Sequence, residues 1–136
     1  MLIAMTLRCL IVDDSQAVVR SAREHLERQG ITVIGSAATG LEAMSLARDL
    51  EPDVVLVDID LGGESGFDLV RRLVQTLDTA GSRTILISTH DEADFADLIA
   101  ASPAIGFVSK SDLSATVIRG LLDRHEAEVT ERRERR

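Results

Sequence analysis

Asp53-Val54-Val55-Leu56-Val57-Asp58 is the stretch whose reading decides the fold. Four consecutive apolar residues, three of them valines, lie between two carboxylates. A short continuous apolar run of this kind describes a strand buried on both faces, as in a parallel sheet covered by helices. The run stops at Asp58, and Gly62, Gly63 and Gly66 then break the chain into a loop. An acid at the carboxyl end of a buried central strand stands where open α/β sheets assemble their chemistry.

Working outward, a first strand is expected over 7–12, ending at Asp13-Asp14. Ser15 is a candidate N-cap for a helix carrying Val18, Val19, Ala22 and Leu26 at helical spacing, with Gly30 just past its end. A second strand is expected over 31–35. Thr39-Gly40-Leu41-Glu42 matches a capping box, and Ala43, Leu46, Ala47 and Leu50 follow on one face before Pro52. Ser65 or Gly66 opens a third helix striped by Phe67, Val70, Val74 and Leu77 and widened by Leu69 and Leu73. Gly81-Ser82 reads as a turn, and 84–88 as a fourth strand. A short helix over 91–101 places Phe95, Leu98 and Ile99 inward, and a fifth strand spans 104–109 up to Lys110. Ser111 or Asp112 caps a last helix with Leu113, Val117, Ile118, Leu121 and Leu122 apolar. From Asp123 nearly every residue is charged, which describes a solvated helix end fraying into a tail.

Five strict βα alternations demand a parallel sheet with helices on both faces, joined by right-handed crossovers. For 136 residues the expected architecture is the flavodoxin-like (βα)5 α/β fold, a doubly wound sheet of order 2-1-3-4-5. An eight-fold barrel would need about 250 residues. One domain is expected over 1–122, with its core from about residue 7, followed by a charged segment over 123–136.

Composition narrows the function. A net charge of −8, from 23 acids against 15 bases, argues against a nucleic-acid-binding surface. The one cysteine, Cys9, lies in an apolar run, so a buried hydrophobe in a reducing, cytoplasmic setting is expected. No apolar run reaches the roughly 18 residues of a membrane span. Met1 to Met5 is apolar, but too short and without the charged start of a signal peptide.

Asp13-Asp14, Asp58, Ser88-Thr89 and Lys110 all fall at carboxyl ends of expected strands, and in the order 2-1-3-4-5 those strands are neighbours. Each alone is a turn or cap residue on the simplest reading. Together they are three acids, a hydroxyl and an ammonium on one sheet edge. Clustered carboxylates stay ionised cheaply only if a cation joins them, and hard oxygens in an open site suit Mg²⁺. A carboxylate nucleophile, a lysine for phosphate oxygens and a hydroxyl donor then describe phosphoryl transfer to an aspartate.

On these motifs the chain resembles a response-regulator receiver domain of two-component signalling, from Leu7 to about Leu122. The matching features are Asp13-Asp14, Leu56-Val57-Asp58, Gly66 eight residues on, Ser88 thirty residues on, and Gly106-Phe107-Val108-Ser109-Lys110. The resemblance implies that Asp58 is the acceptor for a phosphoryl group from the phosphohistidine of a histidine kinase or phosphotransfer protein. It implies Asp14 and Asp58 as direct Mg²⁺ ligands, with the Asp60 backbone carbonyl as a third and Asp13 holding the metal through water. Lys110 would pair with the phosphoryl group, Ser88 would move to hydrogen-bond it, and Phe107 would swing inward behind Ser88. A fixed core aromatic is the rival reading of Phe107. Asp60 and His90 would tune the phosphoryl lifetime, with a solvated loop histidine as the rival for His90. Thr89 competes with Ser88, but the spacing to Asp58 and Lys110 favours Ser88.

The switching face would be residues 91–122, for a downstream protein partner or a homodimer, with no direct nucleic-acid or membrane contact. Two positions depart from the family pattern: Gly62 and Ser111 stand where many members carry proline. Without proline the peptide after Lys110 loses the usual basis for a cis bond. One alternative is a receiver cut from a longer DNA-binding response regulator. Another is a haloacid-dehalogenase-like phosphatase using Asp58-Ile59-Asp60, against which stand the small size and the acidic pair on the first strand. A pseudo-receiver that only binds protein would lack an active-site group, and none is missing.

Overall fold

The computed structural model describes residues 6–77 and 83–135; the Gly81-Ser82 turn signal and the Met1 to Met5 segment lie outside them. Five parallel strands form one sheet: β1 (Arg8–Val12), β2 (Thr32–Ala37), β3 (Val54–Asp58), β4 (Thr84–Ser88) and β5 (Gly106–Ser109). Their order is β2-β1-β3-β4-β5, the doubly wound arrangement expected. Five helices connect and cover them: α1 (Gln16–Arg28), α2 (Gly40–Leu50), α3 (Gly66–Thr76), α4 (Ala96–Ala101) and α5 (Ala115–Glu134).

All five residues of β3 are buried, because helices cover both faces of the central strand. Alternation along each strand divides the interior into two cores. Cys9, Ile11, Val54, Leu56, Ile85 and Ile87 face α1 and α5, against Leu26, Ile118 and Leu122. Leu10, Val12, Val55, Val57 and Leu86 face α2 and α3, against Ala43, Ala47, Leu69, Val70 and Leu73. Leu56 is fully buried. Leu56→Ala is therefore expected to lower the unfolding free energy by about 2–5 kcal/mol in urea denaturation, the cost of lost burial plus a cavity.

The caps follow side-chain chemistry. The Ser15, Thr39, Ser65 and Ser114 hydroxyls accept from Val18, Glu42, Asp68 and Val117 N–H respectively. The first three match the sequence expectation. The last corrects it, since α5 is capped by Ser114 rather than by Ser111 or Asp112. A 3-10 turn over Lys110–Asp112 intervenes, and it lets Leu113 and Ala115 drop into the core.

Three further boundaries differ. β2 runs to Ala37 rather than ending at Gly35, because backbone pairing with β1 continues to Val12↔Ala37 regardless of side-chain polarity. A bulge between Cys9 and Leu10 shifts that register. β5 begins at Gly106 rather than Ala104. The segment expected as one helix over 91–101 is a 3-10 turn, Glu92–Phe95, followed by the six-residue α4. That break turns Leu98, expected inward, out to solvent at 47% exposure. Past Leu122 the α5 helix does not fray at once but continues to Glu134, with His125 and Val129 half-buried.

Candidate functional site

The parallel order brings the carboxyl ends of β1, β3, β4 and β5 to one edge of the sheet, and the loops after them carry the polar side chains singled out above. Asp13 follows β1, its N–H donating to Ala37 O at 2.9 Å. Asp58 ends β3 and Ser88 ends β4, both buried, and Lys110 follows β5.

Lys110 is the hub. Its Nζ lies 2.7 Å from Asp13 Oδ2 and 3.1 Å from Asp58 Oδ2, joining three strand ends through one cation. The other oxygens are held by backbone: Asp13 Oδ1 accepts from Ser15 N–H at 2.9 Å, and Asp58 Oδ1 from Asp60 N–H at 3.1 Å. Burial pushes the Asp58 carboxyl up from its ordinary value; the Asp60 N–H and Lys110 pull it down without cancelling that rise, and Asp13 adds to it. Burial lowers Lys110, but its close pairing with the Asp13 and Asp58 carboxylates outweighs this and leaves the ammonium raised.

Oxygen atoms of Asp13, Asp14 and Asp58 all lie within 4.8 Å of one another. Asp14 is exposed, so the cluster opens to solvent on its side. Asp13 Oδ2, fully buried, touches Lys110 as an ion pair yet has no hydrogen bond of acceptable geometry. Three carboxylates face a single lysine, and one buried oxygen retains unused capacity. This donor set fits a small hard divalent cation such as Mg²⁺.

The raised Asp58 value has a measurable consequence. A group held above its ordinary value of 3.8 contributes most below that pH, and its contribution is lost as pH rises through the folded-state value. Asp58→Asn mimics the neutral form. In metal-free buffer it is expected to unfold at a higher urea concentration than the parent near neutral pH, with the gap closing as pH falls toward 4. Mg²⁺ is expected to narrow the same gap by stabilising only the parent.

Ser88 Oγ accepts from His90 N–H at 2.9 Å, which holds the hydroxyl at the strand end. The His90 ring is edge-on to Phe95 at 5.7 Å, and Phe95 lies 6.2 Å from Phe67. Phe107 is half-buried against the α2–α3 core and also lines a surface groove with Asp91, Glu92 and Val117. Asp60 is exposed, its N–H donating to Asp58 Oδ1. No cis peptide occurs among the described residues, so Lys110–Ser111 is trans.

Glu64 escapes sequence reading. Its Oε2 accepts from Gly40 N–H at 2.8 Å, tying the loop after β3 to the start of α2. A contact 24 residues apart in the chain leaves no local pattern to read.

A doubly wound sheet gathers its ligand-binding groups at the carboxyl edge of its strands, where this chain places the acidic cluster and Lys110. The family model for the response regulator receiver domain matches residues 9–120, and the chain belongs to that family of two-component signalling domains. It is 38% identical over 85 residues to protein PilH of Pseudomonas aeruginosa, covering 62% of this chain and 69% of PilH. It is 31% identical over 110 residues to response regulator UvrY of Escherichia coli, covering 80% of this chain and 50% of UvrY. The chain thus spans about half the length of curated relatives such as UvrY and response regulator GacA. Among solved structures, a LuxR-family two-component response regulator from an Aurantimonas species is 30% identical, with a TM-score of 0.71 over 93% of this chain and 87% of that one. The response regulator domain of Thermotoga maritima CheB is 26% identical, with a TM-score of 0.68 over 93% and 96%. Family membership displaces the phosphatase alternative. No helix of the described residues is long and apolar enough to cross a membrane.

Proposed function

We propose that this domain is a phosphorylation-driven switch whose acceptor is Asp58. The observation that carries the reading is the simultaneous pairing of Lys110 with Asp13 and Asp58 across three strand ends. A carboxylate oxygen of Asp58 attacks the phosphorus of a phosphohistidine on a histidine kinase or phosphotransfer protein. The P–N bond breaks, its electron pair leaves with the imidazole nitrogen, and an aspartyl phosphate forms. Lys110 pairs with the incoming phosphoryl oxygens. Asp14, Asp58 and the Asp60 carbonyl would hold Mg²⁺, with Asp13 behind them; the bound ion would supply positive charge to the transferring group.

The Ser88 hydroxyl leaves the His90 N–H and donates to a phosphoryl oxygen. Phe107 follows into the space vacated. Asp60 and His90 border the phosphoryl group and set its lifetime. The charge change at Asp58 biases the face of residues 91–122 between two arrangements, for a protein partner or a second copy. A second reading, a receiver working within a longer response regulator with an output domain, is favoured by the coverage of UvrY and GacA at about half their length.

The test is incubation with acetyl phosphate, with and without Mg²⁺, followed by intact mass. One added phosphoryl group is expected for the parent with Mg²⁺, and none without Mg²⁺ or in Asp58→Asn. No addition to a parent that binds Mg²⁺, together with no binding of a stable phosphoryl mimic, would sink the acceptor reading.

A further inference from the structure

The loop between β3 and α3 is built unlike a proline-braced one. Gly62 and Gly63 both have positive φ, at +63° and +107°. Proline is locked near −65° and cannot take the Gly62 conformation. The loop instead closes as a miniature hairpin: Gly66 N–H donates to Ile59 O at 2.9 Å, Leu61 N–H to Glu64 O at 3.0 Å, and Asp60 bridges Ser65. Gly62 lies directly beneath Asp14, where a Cβ would stand 2.7 Å from Asp14 Oδ2. The hairpin therefore carries Asp60 and abuts an acid of the carboxylate cluster. Its glycine tip has no stiffness of its own.

Two side chains anchor it. Leu61 is buried in the α2–α3 core. Glu64 reaches out to Gly40 N–H, the only hydrogen bond among the described residues from 60–64 to an element beyond the loop and its flanking β3 and α3. Gly40 is the first residue of α2, so the Glu64 carboxylate also meets the positive end of that helix. Such a charge-assisted bond is among the stronger side-chain bonds available.

We propose that Glu64 is a positioning residue for the cation site: by clamping the glycine hairpin to the start of α2 it supplies the rigidity that proline gives elsewhere, and so sets Mg²⁺ affinity without touching the ion. The proposal rests on the reading of Asp13, Asp14 and Asp58 as a Mg²⁺ site. Its mechanism is loop order. A tethered hairpin presents the Asp60 carbonyl and the Gly62 seat for Asp14 in one place; an untethered one must be ordered by the ion itself, at a cost in affinity.

Three variants separate this role from a merely structural one. Glu64→Ala removes the acceptor. Glu64→Gln keeps an oxygen that can accept from Gly40. Gly40→Pro removes the donor instead, and it suits the fold: proline is favoured at the first helical position, and Thr39 before it is already extended at φ −131° and ψ 161°. Mg²⁺ titration by calorimetry is expected to show about tenfold weaker binding in Glu64→Ala and in Gly40→Pro, with Glu64→Gln within about twofold of the parent. Gly40→Pro is expected to do so without lowering the thermal midpoint of the metal-free protein. The Leu61 amide is expected to exchange faster with solvent hydrogen in metal-free Glu64→Ala than in the parent. If the parent binds Mg²⁺ and both tether-breaking variants bind it equally well, the clamp is overturned while the receiver reading stands. If the parent binds no Mg²⁺, the underlying reading of the acidic cluster fails and the clamp falls with it. Should Glu64→Ala not fold, Gly40→Pro against the parent decides the matter alone.

Discussion

Lys110→Met is expected to slow phosphoryl uptake at Asp58 by about 10²–10³-fold, the usual effect of removing one preorganised charge from a transfer site. Methionine keeps the apolar stem and deletes the ammonium. The parent lysine sits 2.7 Å from Asp13 and 3.1 Å from Asp58, so its loss leaves two buried carboxylates facing one another without a counter-charge. A divalent cation would then be drawn in more strongly, because it relieves that repulsion. The two readouts are therefore expected to move in opposite directions. Mg²⁺ affinity, by calorimetry, rises; the rate of mass increase with acetyl phosphate at saturating Mg²⁺ falls. A parallel loss of both would mean that Lys110 merely holds the strand ends together. In metal-free buffer the variant is also expected to unfold at lower urea concentration, with Mg²⁺ restoring most of the difference.

Gly66→Ala is expected to cost roughly 3–5 kcal/mol of unfolding free energy, among the largest single-residue effects. A Cβ at Gly66 would stand 2.0 Å from the Asp58 carbonyl oxygen and 2.7 Å from Ile59 Cα. Both are backbone atoms and cannot rotate aside. Relief requires α3 to withdraw or the end of β3 to move, and the second displaces the acceptor itself. Urea denaturation measures the loss, and the phosphoryl uptake of whatever folds measures the displacement. Gly120→Ala is the control. Gly120 lies inside α5, and a Cβ there would meet nothing within 4 Å. At that position alanine is expected to stabilise by about 0.5–1 kcal/mol. A Gly66→Ala protein as stable as the parent would show that the approach of α3 to Asp58 can relax freely.

Most of this architecture is legible in the sequence because its signals are local. The apolar run of β3, the hydroxyl caps at Ser15, Thr39 and Ser65, and the polar residues ending four strands each declare themselves within a few positions. What escapes depends on distant partners or weak periodicity. β2 extends through Ser36 and Ala37 by backbone pairing, which side-chain pattern does not report. The 91–101 segment has too few residues for a helical stripe to separate from a 3-10 turn, so the pattern points Leu98 to the wrong face. α5 begins late because Leu113 and Ala115 are drawn into the core, which favours the cap at Ser114 over nearer candidates. Within the candidate site, the acids and Lys110 are readable from spacing, whereas the Glu64 tether, spanning 24 residues, is not.

The division of the interior into two cores has a practical consequence. The chain has three phenylalanines and no tyrosine or tryptophan. All three, Phe67, Phe95 and Phe107, belong to or pack against the core beneath α2 and α3, while the core beneath α1 and α5 is aliphatic and sulfur-bearing. Phenylalanine ring currents therefore fall on one face of the sheet only. In a methyl NMR spectrum, Leu and Val signals from that face should be spread by the rings, and those from the opposite face should stay near their unperturbed shifts. Without any introduced label, the spectrum would resolve which side of the sheet responds when a phosphoryl mimic binds at Asp58.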